Sequence, residues 1–185
     1  MDQYLNNPFF WALISMVALV GACSVVGSGK IGSHPALGWI IVSTIFIGRI
    51  ILVLPFVDQP RIFLYEFNAI VGAPILVIGF IFSLAPCFLI KPLNIAEKDM
   101  EFVTTSFYKY TRNPIYLGEI LWCLGWSILH GSIIGVALVP IWWAGFLFLT
   151  IIEEESLEHA LGSNYLNYKK KTKGRIIPGL PIKII

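Results

Sequence analysis

The sequence predicts an all-α integral membrane protein with about five transmembrane helices, the last two paired as a helical hairpin and followed by a short C-terminal helix. Three observations carry this expectation. Of 185 residues, 57% are hydrophobic and only 13% charged, against ~25% charged in a soluble domain. Mean hydropathy is +0.78. Apolar runs of bilayer-spanning length recur between Pro- and Gly-containing breaks, and a spanning helix needs ~20 such residues.

The first run covers residues 8–27. The preceding residues 1–7 contain no Lys or Arg, and the run exceeds a usual signal-peptide core, so a retained transmembrane helix is expected. A turn-rich stretch, residues 28–35, precedes the second run, 37–57, which contains Arg49. The third run, 67–90, contains Pro74 and Pro86 and is a candidate for a kink. Residues 91–112 are polar. The fourth run, 115–129, is short for a span, and His130-Gly131-Ser132 reads as the hairpin tip before the fifth run, 133–152. Residues 1–90 thus supply three N-terminal helices, and residues 91–185 supply a loop, a hairpin and a C-terminal helix.

Lys and Arg concentrate in the 91–112 loop and after Tyr168, and five passages bring both to one face. The excess of cations makes that face cytoplasmic and the N-terminus external. Lys169, Lys170 and Lys171 are expected against anionic lipid headgroups rather than nucleic acid. Cys23, Cys87 and Cys123 sit in apolar runs without zinc spacing and read as packing residues. The three histidines are scattered, so no metal is expected.

Two polar clusters adjoin the last two runs. Arg112-Asn113-Pro114-Ile115-Tyr116-Leu117-Gly118-Glu119 reads as a helix start: Asn113 suits the N-cap and Pro114 the first helical position. The open N–H groups of such a turn favour an anion. Tyr116 and Glu119 lie one and two turns along from Arg112 on the same face. Glu119, inside an apolar helix, requires a partner. Glu153-Glu154-Glu155 ends the fifth run. Acidic residues disfavour a helix C-terminus, so the helix is expected to continue, leaving the cluster at the lipid–water boundary with Leu157 and Leu161 on an apolar stripe. If both ends of the hairpin meet on the cytoplasmic side, an anion-binding helix start faces a carboxylate cluster. That combination suits a zwitterionic ligand.

The segment 102–111, the Arg-Asn-Pro-Ile-Tyr-Leu-Gly run, the pattern Glu-Glu-x-x-Leu-x-x-x-Leu-Gly-x-x-Tyr-x-x-Tyr from Glu153 to Tyr168, and Arg175-Ile176-Ile177-Pro178 occur in one order. Together they resemble the integral-membrane methyltransferases typified by isoprenylcysteine carboxyl methyltransferase, with the phospholipid methyltransferases as relatives. The resemblance covers roughly residues 91–180. It implies S-adenosylmethionine as cofactor and a lipid or lipidated acceptor in the bilayer. By resemblance, Arg112, Asn113, Pro114, Tyr116 and Gly118 line the cofactor site. Glu153 and Glu154 receive its amino and ribose groups. Tyr165, Tyr168 and Arg175 close the site. Arg175 is also available to an anionic acceptor, and Tyr116 and Glu119 join it as candidate catalytic groups, Glu119 being able to take a proton from an amine acceptor. Two positions depart from the family pattern: Ser106 stands where glycine is usual, and Asn113 where histidine is common.

Two other classes compete. Membrane sterol reductases using NADPH share a similar Arg-x-Pro-x-Tyr-x-Gly-Glu pattern. A non-catalytic scaffold or transport accessory would account for Arg49 in a span. The residues leave open the acceptor (a prenylcysteine carboxylate, a phospholipid amine or another hydrophobic group) and the oligomeric state.

Overall fold

The computed structural model describes residues 2–27, 35–89 and 104–181. Of the expected loops at 28–35 and 91–112, residues 28–34 and 91–103 lie outside the described residues. Among the described residues every element longer than an isolated bridge is helical: α1 (Asp2–Leu5), α2 (Pro8–Gly27), α3 (Pro35–Val53), α4 (Tyr65–Leu89), α5 (Pro114–Leu129), α6 (Ile133–Leu161) and α7 (Ser163–Lys171), with a 3-10 turn at Ser106–Lys109. Four of these, α2, α3, α4 and α6, are long and apolar enough to cross a membrane; α5 is apolar but has 16 residues. α4 continues through both Pro74 and Pro86.

α6 has 29 residues and is about 43 Å long, well beyond the ~30 Å hydrocarbon core. It starts on Ser132, whose hydroxyl accepts from the Gly135 amide at 2.9 Å. It runs through Glu153, Glu154 and Glu155 and stops at Gly162, where φ is +53°. The expected continuation past the acidic cluster is therefore present. α7 then turns back along the end of α6, since Lys169 pairs with Glu158 and lies 3.8 Å from Glu154.

α4 and α5 form the tightest pair. Glycines line their contact at seven-residue spacing, Gly72 and Gly79 on α4 and Gly118 and Gly125 on α5. A Cβ on Gly79 would fall on the backbone of Trp122, and one on Gly125 would fall on that of Leu76. Higher-numbered residues of one helix meet lower-numbered residues of the other, so the helices are antiparallel. In lipid there is no hydrophobic drive between apolar helices, and small residues permit the close backbone approach that holds them together. α2 packs on α3, and α6 lies against both pairs.

One end of the bundle is tied by polar caps. The Arg61 guanidinium donates to the carbonyls of Val53 (2.8 Å), His130 (3.1 Å), Val57 (3.2 Å) and Leu54. Asn68 donates to the carbonyls of Ile62 (3.1 Å) and Ile128, while its Oδ1 accepts from the Leu64 amide. A cation at the carbonyl ends of helices meets their negative dipole ends. Gly131, at φ +63°, closes the α5–α6 turn against the Ile62 carbonyl, as expected of a hairpin tip. The Asp58 amide donates to the Asn6 carbonyl (2.8 Å), so the start of α2 lies at this end too.

Midway along the bundle, Arg49 is 1% exposed. Rather than reaching the interface, it pairs with the Glu119 carboxylate, which also accepts from the Ser83 hydroxyl. The partner that Glu119 requires is thus on α3.

The glycine seam makes a sharp prediction. Gly79→Val should lower the melting temperature in detergent, since overpacking costs ~1–3 kcal/mol, whereas Gly21→Val, with nothing within 4 Å of its Cβ, should melt like the parent. Equal melting temperatures would contradict the seam.

Candidate functional site

At the end of the bundle opposite Arg61, the chain entering α5 runs beside the chain leaving α7. The Arg112 amide donates to the Gly174 carbonyl (2.9 Å) and the Asn113 amide to that of Arg175 (3.0 Å). The Thr111 hydroxyl is shared between the carbonyls of Arg175 (3.0 Å) and Ile176 (2.7 Å). Thr111 and Ile176 are fully buried, so these two segments form a joint rather than two loose loops.

Glu154 sits at the centre of this joint and is 2% exposed. Its Oε1 accepts from Arg112 Nε at 2.8 Å and Asn113 Nδ2 at 3.2 Å. Its Oε2 lies 3.3 Å from Arg112 Nη2, 3.2 Å from Arg175 Nη2 and 3.8 Å from Lys169 Nζ. Arg112 Nη1 donates onward to the carbonyls of Thr172 (2.8 Å) and Lys173 (3.1 Å). A buried carboxylate is tolerable only when paired and hydrogen-bonded in this way.

Three expected residues therefore converge on a fourth: Arg112, Asn113 and Arg175 on Glu154. Asn113 is at the N-cap position but makes no side-chain cap bond; its amide instead donates to Glu154 and to the Arg175 carbonyl (3.0 Å). Pro114 occupies the first turn, buried. One turn on, the Tyr116 hydroxyl donates to Glu153 Oε1, and the Tyr116 ring stacks on Phe146 with centroids 5.2 Å apart. Tyr165 and Tyr168 are buried on α7, their rings 5.8 Å apart, and the Tyr168 hydroxyl donates to the Tyr108 carbonyl at 2.7 Å. Burial pushes the Tyr168 phenol up to about 12 and those of Tyr108 and Tyr165 well above the ordinary tyrosine range. All three stay neutral near pH 7 and serve as hydrogen-bonding groups rather than bases.

Two expected site residues point elsewhere. Gly118 lies in the seam, where a Cβ would strike the backbone of Phe82 and Ser83. Glu119 engages Arg49 and Ser83 instead of the Glu154 network. Conversely, Thr111 and Thr172 belong to the joint although nothing in their sequence pattern marks them: their role comes from backbone carbonyls and spacing across some sixty residues, which one-dimensional patterns do not carry. Lys169, expected against lipid headgroups, instead faces Glu154 and Glu158.

The joint can take a zwitterion. Nε and Nη1 of Arg175 are buried and have no hydrogen-bond acceptor among the described residues, which leaves donors for an anionic group. Glu153, held through one oxygen by Tyr116, can accept from a cation. No group of three or more metal-ligating side chains occurs among the described residues.

The sequence profile of the phospholipid methyltransferase family matches residues 67–164, which runs from α4 through both polar clusters and stops before Tyr165 and Arg175. Protein-S-isoprenylcysteine O-methyltransferases of Mus musculus and Homo sapiens are each 39% identical over 80 residues, 43% of this chain and 27% of theirs. That of Schizosaccharomyces pombe is 34% identical over 81 residues, 43% of this chain and 34% of its own. The chain thus matches only a quarter to a third of the length of these relatives. No solved structure matches.

Two stability predictions come from the joint. Glu154→Ala strands buried cations and should destabilise by ~3–5 kcal/mol, while exposed Glu155→Ala should be silent in the same melting assay. Ser106, at φ +55°, is the one position of the 3-10 turn in the left-handed region that glycine occupies without strain. Ser106→Gly should raise the melting temperature by a few degrees, on the order of the ~1 kcal/mol such strain costs; a fall would show that the turn needs the side chain.

Proposed function

Because the chain belongs to the phospholipid methyltransferase family, we propose that it is an S-adenosylmethionine-dependent methyltransferase acting on a lipophilic acceptor at the cytoplasmic membrane surface. The observation that carries this reading is the Glu154 joint with its two open ends, the unsatisfied Arg175 donors and the Tyr116-held Glu153 carboxylate. When bound, S-adenosylmethionine supplies a methyl group on a positively charged sulfur.

The residues divide the work by chemistry. Arg175 receives the carboxylate of the donor through Nε and Nη1. Glu153 receives its ammonium, with Tyr116 fixing the orientation of that carboxylate. Glu154 is already saturated by Arg112, Asn113 and Arg175; its part is to aim those groups. Tyr165 and Tyr168, neutral and buried on α7, keep water from the joint. Lys170 and Lys171 lie on the same surface and favour anionic headgroups. An ionised carboxylate acceptor needs no proton removed, so alignment and desolvation suffice, and alignment alone can contribute ~7–11 kcal/mol. Glu119, committed to Arg49, reads as a positioning group rather than a base.

The same reading makes α5 a fifth passage, short because its partner α4 carries the lipid-facing length. The start of α2 and the Arg61 caps then face outward. Arg112, Lys109, Lys169 to Lys171, Lys173 and Arg175 gather on the cytoplasmic side, as the distribution of cations in membrane proteins requires. The family match and the relatives favour methyl transfer over nicotinamide-dependent reduction.

Calorimetry on the purified protein should register S-adenosylmethionine binding. Arg175→Met and Glu153→Gln should each weaken it by about tenfold or more, since each removes a charge-assisted contact worth ~1.5–3 kcal/mol, and methyl-labelled donor should transfer label to the lipid-soluble fraction of membranes. A folded wild type that neither binds the donor nor transfers label would overturn the assignment.

A further inference from the structure

Arg49 comes from α3, in the half of the chain that carries no motif, and it is almost completely buried. Its Nε donates to the Ile45 carbonyl at 3.1 Å, Nη1 to the Glu119 carbonyl at 3.4 Å, and Nη2 pairs with the Glu119 carboxylate. The guanidinium carbon lies 4.7 Å from the ring centroid of Trp122 on α5 and 5.2 Å from that of Phe146 on α6. Ser83 of α4 donates to the other oxygen of Glu119. One cation therefore touches or organises side chains from α3, α4, α5 and α6 at a single depth.

A buried ion pair is a weak source of stability, because desolvation offsets most of the attraction, and apolar residues of similar size often do as well. Its distinctive contribution is geometric. The Arg49 fork permits one rotation of α5 and one seat for the Phe146 ring. That ring is the surface on which Tyr116 stacks, and the Tyr116 hydroxyl holds Glu153. The contacts run without a gap from Arg49 through Phe146 to Tyr116 and Glu153.

We propose that Arg49 is a positioning residue of the methyl-transfer site: clamped by Glu119, it seats Phe146 against Tyr116 and so holds the Tyr116 phenol on the Glu153 carboxylate. The inference rests on the methyltransferase reading for its catalytic consequence but not for its structural content. It gives the motif-free N-terminal half a direct part in shaping the site.

The test places 3-fluorotyrosine at position 116 alone and follows its fluorine resonance in detergent micelles. The main variant is Arg49→Met with Glu119→Gln, which removes both charges together and avoids a stranded ion. Its resonance should shift and broaden. Arg49→Lys, which keeps the charge but not the planar fork, should lie between the double variant and the parent. Arg61→Met, at the opposite end of the bundle, should lower the melting temperature and leave the resonance in place. With methyl-labelled donor, kcat of the double variant should fall by up to about a hundredfold, as for a reacting pair displaced by an ångström, and the donor KM should rise, because the displaced phenol no longer orients the Glu153 carboxylate that receives the donor. An unmoved resonance in a folded double variant overturns the proposal; should that variant not fold, an unmoved resonance in Arg49→Lys does so. A wild type that transfers no methyl group counts against the function proposed above, while the fluorine measurement still decides the role of Arg49.

Discussion

The ion-paired carboxylate of Glu154 is the constraint on which the rest of the site depends. It lies where α6 leaves the apolar part of the bundle, and burial there is tolerable only because Arg112, Asn113 and Arg175 bring donors to both oxygens. Satisfying it brings the entry to α5 and the exit from α7 together and forces α7 to fold back along α6. The joint then leaves Arg175 with donors to spare and sets Glu153 beside it, one residue along the helix and turned to Tyr116. A single saturated acid thus creates two unsaturated poles.

The remainder of the bundle solves the same problem in a medium that offers no water. Backbone polar groups and charges in lipid must be matched from within, and three solutions occur at three depths. Arg61 and Asn68 cover helix carbonyls at one end. Arg49, Glu119 and Ser83 neutralise one another in the middle. The Glu154 joint occupies the other end. Between them the glycines of α4 and α5 let backbone meet backbone, which carries α5 to the depth where Arg112 reaches Glu154. Helix packing and the chemistry of the site are therefore one arrangement: a shift of α5 along its seam would misalign Glu119 with Arg49 and Arg112 with Glu154 together.

Much of this was legible from residues alone. The apolar runs foretold the helices to within a few residues, His130-Gly131-Ser132 foretold the α5–α6 turn, and the helix penalty on three successive acids foretold that α6 continues past them. Asn113-Pro114 marked the start of α5 correctly, although the asparagine side chain serves Glu154 rather than the cap: its Nδ2 donates to that carboxylate and to the Arg175 carbonyl, and its oxygen makes no cap bond. The polarity of the two clusters indicated that Arg112 and Glu154 belong together. Other features were out of reach. Gly118 reads the same whether it lines a ligand or a neighbouring helix, and only the antiparallel register with Ser83 decides. Thr111 and Thr172 act through carbonyls some sixty residues away.

By itself the sequence determined the helices, their breaks and the chemical character of the two polar clusters, because these follow from local apolar content, turn chemistry and charge near hydrocarbon. Tertiary structure alone decided which charge answers which: Arg49 with Glu119 rather than the interface, Glu154 with three cations, Glu153 with Tyr116. The reason is physical. A buried charge specifies that it must have a partner but not which one, and the choice falls to whichever complementary group helix packing brings within hydrogen-bond reach.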